Sequence, residues 1–524
     1  MPAKRAKIPI LAWPLIALSL LVCVLAFMQE SNHYPSLHIQ TGTGVDLLYL
    51  NQLRNTQGEC EITLRQLEQR IQQSCPQCVT QSRQCLNQLP PSQASYFTSA
   101  PQAYPAAHLP DGIMVFTSPS AALAQATCEA TVNTLQQQKI KSTCYPAEST
   151  RPFFRASHSP IDLKQLGFAL LALLLAQLVS MFACWLVIRY EHMHAHLSHD
   201  TQIGPQKFHT SPTARIGGLS LMISLMVSAA LLLALPNHFS DAEFGLLLLA
   251  AMPAFLGGLT EDITKKVGVR DRLLLTMLSG LFGCLLLNAT VRHVEIPGID
   301  SILHWTPFAI AFTAFAVGGV ANAINIIDGN NGLAGGFGIL VSLAFAVVAS
   351  LQGDSLLVFA NLTMIGGLIG FLVWNWPGGK IFLGDGGAYL LGFWLAEMGI
   401  LLTVRNPQIS VWFPLAVMAY PVFETLFSIY RRKIKTKNSI GEPDSQHLHQ
   451  LLYKCLCASN HPFVSTAEKT TLNSRVAPRI LACAGLFMML GVIFSKQASL
   501  LQLVFLMFCL SYYVAYRYLD REVP

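Results

Sequence analysis

The sequence predicts an all-α polytopic membrane protein with about 12 transmembrane helices and one small segment held outside the bilayer between the first two of them. Three observations predict it. Of 524 residues, 52% are hydrophobic and only 12% are charged, where a soluble domain carries about 25% charged residues. The apolar residues come in runs of roughly twenty, the length that crosses about 30 Å of hydrocarbon at 1.5 Å per residue. Basic residues gather in alternate loops between these runs, the asymmetry that orients a membrane protein. The net charge of +6, from 34 basic and 28 acidic side chains, is too mild for a nucleic-acid-binding surface, so no nucleic acid is expected as a partner.

The apolar runs place spans at 8–28, 163–188, 215–235, 244–260, 272–290, 305–325, 333–351, 355–374, 386–403, 411–430, 479–495 and 498–516. Lys4, Arg5 and Lys7 precede the first run, as in a signal peptide. No small-residue cleavage site follows it, so residues 1–28 read as an uncleaved N-terminal anchor. With the N-terminus inside, the short outer loops hold little beyond Arg292, Arg405 and Lys496. The inner loops hold Lys265, Lys266, Arg270 and Arg272, then Arg431, Arg432, Lys433, Lys435 and Lys437, then Arg517 and Arg521. That asymmetry makes 431–478 cytoplasmic and 29–162 exported.

The exported segment holds six of the 13 cysteines: Cys60, Cys75, Cys78, Cys85, Cys128 and Cys144. An even set in an exported loop reads as structural disulfides, although Cys75-Pro-Gln-Cys78 also has the spacing of a redox pair or half a zinc site. Residues 61–73 and 121–139 are helix candidates and Ile113–Phe116 a short strand. The segment shows no catalytic constellation.

In this topology the unusual polar residues fall on one side of the membrane. Gly258-Leu-Thr-Glu261-Asp262 closes one span. Asn322-Ala-Ile-Asn325-Ile-Ile-Asp328-Gly-Asn330-Asn331-Gly332 closes another. Phe382-Leu-Gly384-Asp385-Gly386-Gly387 opens a third, and Asp444-Ser-Gln-His447-Leu-His449-Gln450 lies in the large inner loop. Carboxylates near a bilayer are costly and usually functional. Several together repel one another, and Mg²⁺ relieves that repulsion by binding a few carboxylates plus phosphate oxygens. Glycines beside Asp328 and Asp385 let backbone N–H groups approach a phosphate. Asn322 and Asn325, three apart, share a helix face with Asp328. Taken singly, each group has a plain reading as a helix cap, an interhelical hydrogen bond or a solvated loop. Their convergence on one face favours a phosphoryl-transfer site. The histidines His192, His194, His196 and His199 read as an interfacial stretch, since no carboxylate or cysteine pattern completes a metal site with them.

At these four motifs, and at Gly204-Pro-Gln-Lys-Phe-His209-Thr-Ser-Pro212-Thr-Ala-Arg215-Ile-Gly217-Gly218, residues 163–520 resemble the polyprenyl-phosphate N-acetylhexosamine-1-phosphate transferases, most closely the O-antigen-initiating branch. The resemblance implies a direct displacement. Undecaprenyl phosphate would attack the β-phosphorus of a UDP-sugar, UMP would leave, and a lipid pyrophosphoryl sugar would start a cell-envelope glycan at the cytoplasmic face of a bacterial inner membrane. It implies a lipid-phosphate role for Asp262 in the Glu261-Asp262 pair, nucleotide and metal binding by Asn322, Asn325 and Asp328, and Mg²⁺ (or Mn²⁺) on Asp385 with Asp328. His447 and His449 would lie at the sugar and pyrophosphate, and Asn331, Arg215 and Lys265 complete the expected substrate-binding set.

Three positions depart from the family pattern. Glu261 stands where many members have Asp, Asn331 replaces a second aspartate, and Gln450 replaces the last histidine of the tetrad. The last puts the sugar in question. The rival mechanism is a covalent intermediate on a carboxylate. The rival function is a transporter of an anionic or lipid-linked sugar, which would place its binding residues near the bilayer midplane rather than at inner helix ends. Membrane lipid is an expected partner, and a homodimer stays open.

Overall fold

The structure is a computed structural model that describes residues 34–42, 44–51, 60, 61, 64, 65, 67, 68, 71, 77–86, 103–109, 112–137, 142–147, 163–193, 213–234, 241–296, 298–406, 409–436, 444, 446–458 and 465–522. The anchor at 8–28, Cys75, part of the 61–73 helix candidate, His194 to His199 and the 204–212 part of the fifth motif lie outside the described residues. The chain divides into two units, one taking most of 27–164 and the other 165–350 with 354–524.

The smaller unit is an antiparallel sheet with helix packed on it. Strands β1 (Tyr34–Gln40), β2 (Asp46–Asn51), β3 (Val79–Leu86), β4 (Ala106–His108), β5 (Gly112–Thr117) and β6 (Thr143–Tyr145) align in the order β3-β1-β2-β5-β4-β6. The register sets Leu37 opposite Tyr49 and Tyr49 opposite Met114. Alternation along the strands therefore puts Leu37, Ile39, Leu47, Tyr49, Met114 and Phe116 on one face. Helix α1 (Ala121–Gln137) begins where Ser120 Oγ accepts the Leu123 N–H at 3.3 Å, and it covers that face with Ala124, Cys128 and Val132. Disulfides Cys60–Cys85 and Cys128–Cys144 staple helix to strand, and Cys78 is also disulfide-bonded. The expected strand at 113–116 and helix at 121–139 are present, and the described residues within 61–73 are helical. The other five strands are not among the expected elements: β4 and β6 are only three residues long, and β3, Val-Thr-Gln-Ser-Arg-Gln-Cys-Leu, is polar and mostly exposed.

The larger unit is helical: α2 (Leu163–Arg189), α3 (Gly217–Ala234), α4 (Asp241–Thr264), α5 (Val269–Leu287), short α6 (Ile299–Leu303), α7 (Thr306–Ile327), α8 (Leu333–Leu351), α9 (Ser355–Asn375), α10 (Gly384–Arg405), α11 (Trp412–Val417), α12 (Ala419–Tyr430), α13 (Leu448–Ala458), α14 (Thr466–Ser474), α15 (Val476–Ile493) and α16 (Ala498–Glu522). Eight helices among the described residues are long and apolar enough to cross a membrane. The expected spans at 215–235 and 272–290 fall on α3 and α5. The expected span at 411–430 is broken at Met418 into α11 and α12. Pro421 explains the break: it offers no N–H, and its ring displaces the carbonyl four residues back.

Nearly all of α10 is buried, and α3, α4 and α7 pack around it. Backbone contact makes this possible. A Cβ on Gly258 of α4 would lie 2.5 Å from the Asp385 carbonyl oxygen, and one on Gly392 of α10 would lie 2.5 Å from Ala321 Cα. At the far end, Asp354 caps α9 by accepting the Leu357 N–H at 3.1 Å and holds Arg405 Nε at 3.1 Å, tying the start of α9 to the end of α10.

Candidate active site

The first turn of α10 anchors the site. Gly384 opens the helix at φ +76, a left-handed conformation that favours glycine. Residues 214–218 pair with the backbone just before it: Phe382 N–H donates to Ala214 O at 2.9 Å, Gly217 N–H to Phe382 O at 2.9 Å, and Gly218 N–H to Leu383 O at 2.8 Å. This pairing carries Arg215 over the α10 N-terminus. Beneath it, the Asp262 carboxylate accepts the N–H of Asp385 at 3.0 Å and of Gly386 at 2.8 Å. An anion accepting the free N–H groups of a helix N-terminus is a favourable pairing. Asp262 is only 1% exposed.

Asp385 points the other way, toward a cavity. Its Oδ1 accepts Arg215 Nη2 at 3.3 Å and Asn325 Nδ2 at 3.1 Å, and its Oδ2 pairs with Arg272 of α5. The C-terminal end of α7 forms the facing wall. Asp328 is the C-cap of that helix, and its carboxylate has no hydrogen-bond partner among the described residues. Burial pushes the Asp328 carboxyl well above the usual carboxylate range. Arg215 opposes that rise, and Asp385 and Asp262 add to it. Both amide atoms of Asn330 are buried without a partner, as is Asn331 Oδ1. The Asn331 backbone N–H donates to Asn473 Oδ1 at 2.8 Å, and its Nδ2 donates to Pro377 O at 3.1 Å.

The histidine loop closes the cavity. His447 stands just before α13 and His449 is the second residue of that helix. Their rings lie parallel, 3° apart in plane, with centroids 5.6 Å apart. Neither ring nitrogen of His449 has a hydrogen-bond partner among the described residues. A Cβ on Gly329 would lie 2.5 Å from His449 Nε2, so the ring abuts the turn after Asp328. Burial, with His447 beside it, drives the His449 imidazole well below its ordinary pKa, and Asp444 offsets only part of this. His447 Nδ1 lies 3.0 Å from Glu424 Oε1. Burial alone would raise Asp444, but His447 and Arg431 outweigh it and lower its pKa. Gln450, which replaces a family histidine, is occupied by the loop itself: its Oε1 accepts the His447 N–H at 3.0 Å and its Nε2 donates to Asp444 O at 3.3 Å.

The enclosed space is about 350 Å³, with Arg215, Glu261, Asn325, Asp328, Asn331, Asp385, His447 and His449 of the expected residues on its walls. Three expected residues are placed elsewhere. Asp262 sits behind the wall under the Asp385 turn. Asn322 is turned into the helix packing, where its Nδ2 donates to Gly318 O at 2.8 Å and Thr276 Oγ1 at 3.4 Å. Lys265 donates from Nζ to Asp262 O at 2.6 Å and is exposed. The walls also include Arg272 and Asn330, which are not among the expected site residues, and Gln450, expected only as a departure from the family pattern. Arg272, expected only as one of the basic residues that orient the chain, sits four residues after Gly268 in the first turn of α5 and reaches Asp385. Glu424 on α12 is not among the expected residues. The signal was there: a carboxylate inside an apolar span is costly and usually functional.

Asp328 and Asp385 are the carboxylates that could hold a cation. Among the described residues no three His, Cys, Asp or Glu side chains form a ready cage. A hard cation completed by phosphate oxygens needs only one or two. The half-buried Asp328 carboxylate on the cavity wall fits such an ion.

Comparison with known proteins agrees with this geometry. The model of glycosyl transferase family 4 matches residues 244–403, which run from α4 through α10. A probable undecaprenyl-phosphate N-acetylglucosaminyl 1-phosphate transferase of Bacillus subtilis (strain 168) is 26% identical over 251 residues, 47% of this chain and 67% of that protein. An undecaprenyl-phosphate alpha-N-acetylglucosaminyl 1-phosphate transferase of Thermotoga maritima is 28% identical over 246 residues, 47% of this chain and 70% of that protein. A phospho-N-acetylmuramoyl-pentapeptide-transferase of Leuconostoc citreum is 32% identical over 236 residues, 43% of this chain and 71% of that protein. With the helical bundle and the polar cavity at one end of it, these matches make the chain a multi-pass membrane sugar-phosphate transferase that belongs to glycosyl transferase family 4.

Proposed function

We propose that the enzyme transfers an N-acetylhexosamine-1-phosphate from a UDP-sugar to undecaprenyl phosphate, releasing UMP and starting a lipid-linked envelope glycan such as O-antigen. The reaction would run at the cytoplasmic face of the bacterial inner membrane. One observation carries the reading: a single cavity combines two arginines, Arg215 and Arg272, with the unspent polar atoms of Asn330, Asn331 and His449. A sugar linked through a diphosphate offers counterparts to both. Arginine forks suit phosphate oxygens, and buried amides and imidazoles without partners gain hydrogen bonds from sugar hydroxyl and acetamido groups.

A lipid phosphate oxygen would attack the β-phosphorus of the donor, and the bond from that phosphorus to the UMP oxygen would break with its electron pair on UMP. A phosphate monoester has a second pKa near about 6, so the nucleophile is largely dianionic at neutral pH and calls for orientation more than for a base. Arg215 and Arg272 hold the diphosphate, and Asp262 positions Asp385 through the α10 N-terminus. Asp328 and Asp385 would hold Mg²⁺, which supplies charge neutralisation on the pyrophosphate when bound. Asn325 keeps Asp385 oriented from the α7 side.

The test is an assay of the purified full chain with undecaprenyl phosphate and a panel of UDP-sugars, reading UMP and the lipid product by mass. The expected result is UMP release with at least one UDP-N-acetylhexosamine. Lipid-dependent UMP release from none of the panel would overturn the donor assignment.

A further inference from the structure

Helix α12 and the residue that follows it carry a polar stripe that the proposed chemistry does not use. Glu424, Ser428 and Arg431 are 1%, 5% and 5% exposed and recur at i, i+4 and i+7, the spacing of one helix face. All three are spent on the loop that bears the histidines. Glu424 Oε1 lies 3.0 Å from His447 Nδ1, and its Oε2 accepts the Leu448 N–H at 3.2 Å. Ser428 Oγ donates to Asp444 Oδ2 at 3.1 Å. The Arg431 guanidinium pairs with Asp444 and donates to Gln446 Oε1.

We propose that this stripe is a clamp that aims the donor site, with Glu424 as the positioning residue for His447 and, through α13, for His449. The inference rests on the transferase reading above. A carboxylate accepts and does not donate, so the contact with Glu424 makes His447 Nδ1 the donor on a ring that lines the cavity. Its other ring nitrogen, Nε2, stands 3.7 Å from Asp444 Oδ2, beyond a hydrogen bond. Glu424 also receives the first N–H of α13, where an anion stabilises the helix start. His449 has no ring hydrogen bond among the described residues, so its direction follows from the seating of α13 and from the parallel His447 ring. Glu424 itself is absent from the cavity wall, and it therefore acts through the two imidazoles.

The experiment compares the wild-type chain with Glu424→Gln and Glu424→Asp, titrating the UDP-sugar and undecaprenyl phosphate separately. Glu424→Gln keeps the shape but removes one of the two acceptors. It is expected to raise the donor KM about tenfold, the worth of one hydrogen bond to a charged group, with the lipid KM within about twofold. Glu424→Asp should recover part of the loss. Should Glu424→Gln fail to insert, Ser428→Ala loosens the same clamp without removing a charge and should move the donor KM in the same direction. Histidine-labelled protein, with His447 assigned by loss of its signals in His447→Ala, should show the proton on Nδ1 in the absence of any substrate. A donor KM unchanged in Glu424→Gln, an equal weakening toward both substrates, or a proton on Nε2 alone would overturn the clamp. If the wild type turns over no UDP-sugar, the donor assignment fails, and the substrate-free histidine spectrum still decides the clamp.

Discussion

Asp262 and Asp385 meet through the backbone rather than through their side chains: the Asp262 carboxylate accepts the Asp385 N–H at 3.0 Å and the Gly386 N–H at 2.8 Å. One acid thereby fixes the helix start from which the other reaches the cavity. Asp262→Asn should insert and fold but lose one of these two acceptor contacts, turning an amide NH₂ toward a backbone N–H. Hydrogen bonds to a charged group are worth about 1.5–3 kcal/mol, so kcat should fall about 10- to 100-fold through displacement of Asp385. Steady-state kinetics on detergent-purified protein check this, and activity equal to wild type would remove Asp262 from the catalytic architecture.

Chelation tests the carboxylates. EDTA should stop transfer, and Mg²⁺ or Mn²⁺ should restore it. Asp328→Asn and Asp385→Asn should each raise the Mg²⁺ concentration needed for half-maximal rate. Undiminished turnover in chelator would exclude the cation from the reaction.

Acid should act through His449. Its pKa is well below the ordinary value because burial disfavours the imidazolium. A lowered histidine contributes stability above its unfolded pKa, near about 6.5, and that stability is lost as pH falls from there toward the folded pKa. The loss approaches about 1.4 kcal/mol per pH unit. The melting temperature should therefore drop between about pH 6.5 and 5, and His449→Gln, which cannot take up the proton, should flatten that slope. Equal slopes in the two proteins would place the acid sensitivity elsewhere. The lowered Asp444 works in the other range: its contribution persists above the usual carboxylate pKa and is lost only in stronger acid.

Every residue on the cavity wall belongs to the larger unit. Deleting 29–162, with a short linker joining the flanking segments, should leave transfer by the purified protein measurable. A correctly inserted deletion protein without activity would make the smaller unit part of the catalytic architecture.

The helical unit was legible in the sequence because its cause is local. A run of apolar side chains about as long as the bilayer is thick can satisfy its backbone only as a helix, and each such run on described residues is a helix or, at 411–430, a broken pair. The disulfide pairing and the six-stranded order of the smaller unit depend on contacts between residues distant in the chain. Most of the cavity was legible too, since Asp328, Asp385, Asn325 and the two histidines carry chemistry in motifs of fixed spacing. The two histidines, which would diverge by about 200° on a regular helix at 3.6 residues per turn, face together because His447 precedes α13 rather than belonging to it.

Sequence by itself determined which side chains had to collect at one end of a membrane bundle, because charge and amide groups are too costly to scatter through hydrocarbon. Tertiary structure alone decided which of them face the cavity and which hold its walls. Asp262 turns inward to a helix N-terminus and Asn322 to a hydrogen bond with Thr276 of the neighbouring helix, whereas Arg272 and Asn330 line the open space. Glu424 supports the site from a helix over twenty residues away in the chain. Residue type and spacing show that a polar group must find a partner, but the partner is chosen by which helices pack together, and those contacts are long-range.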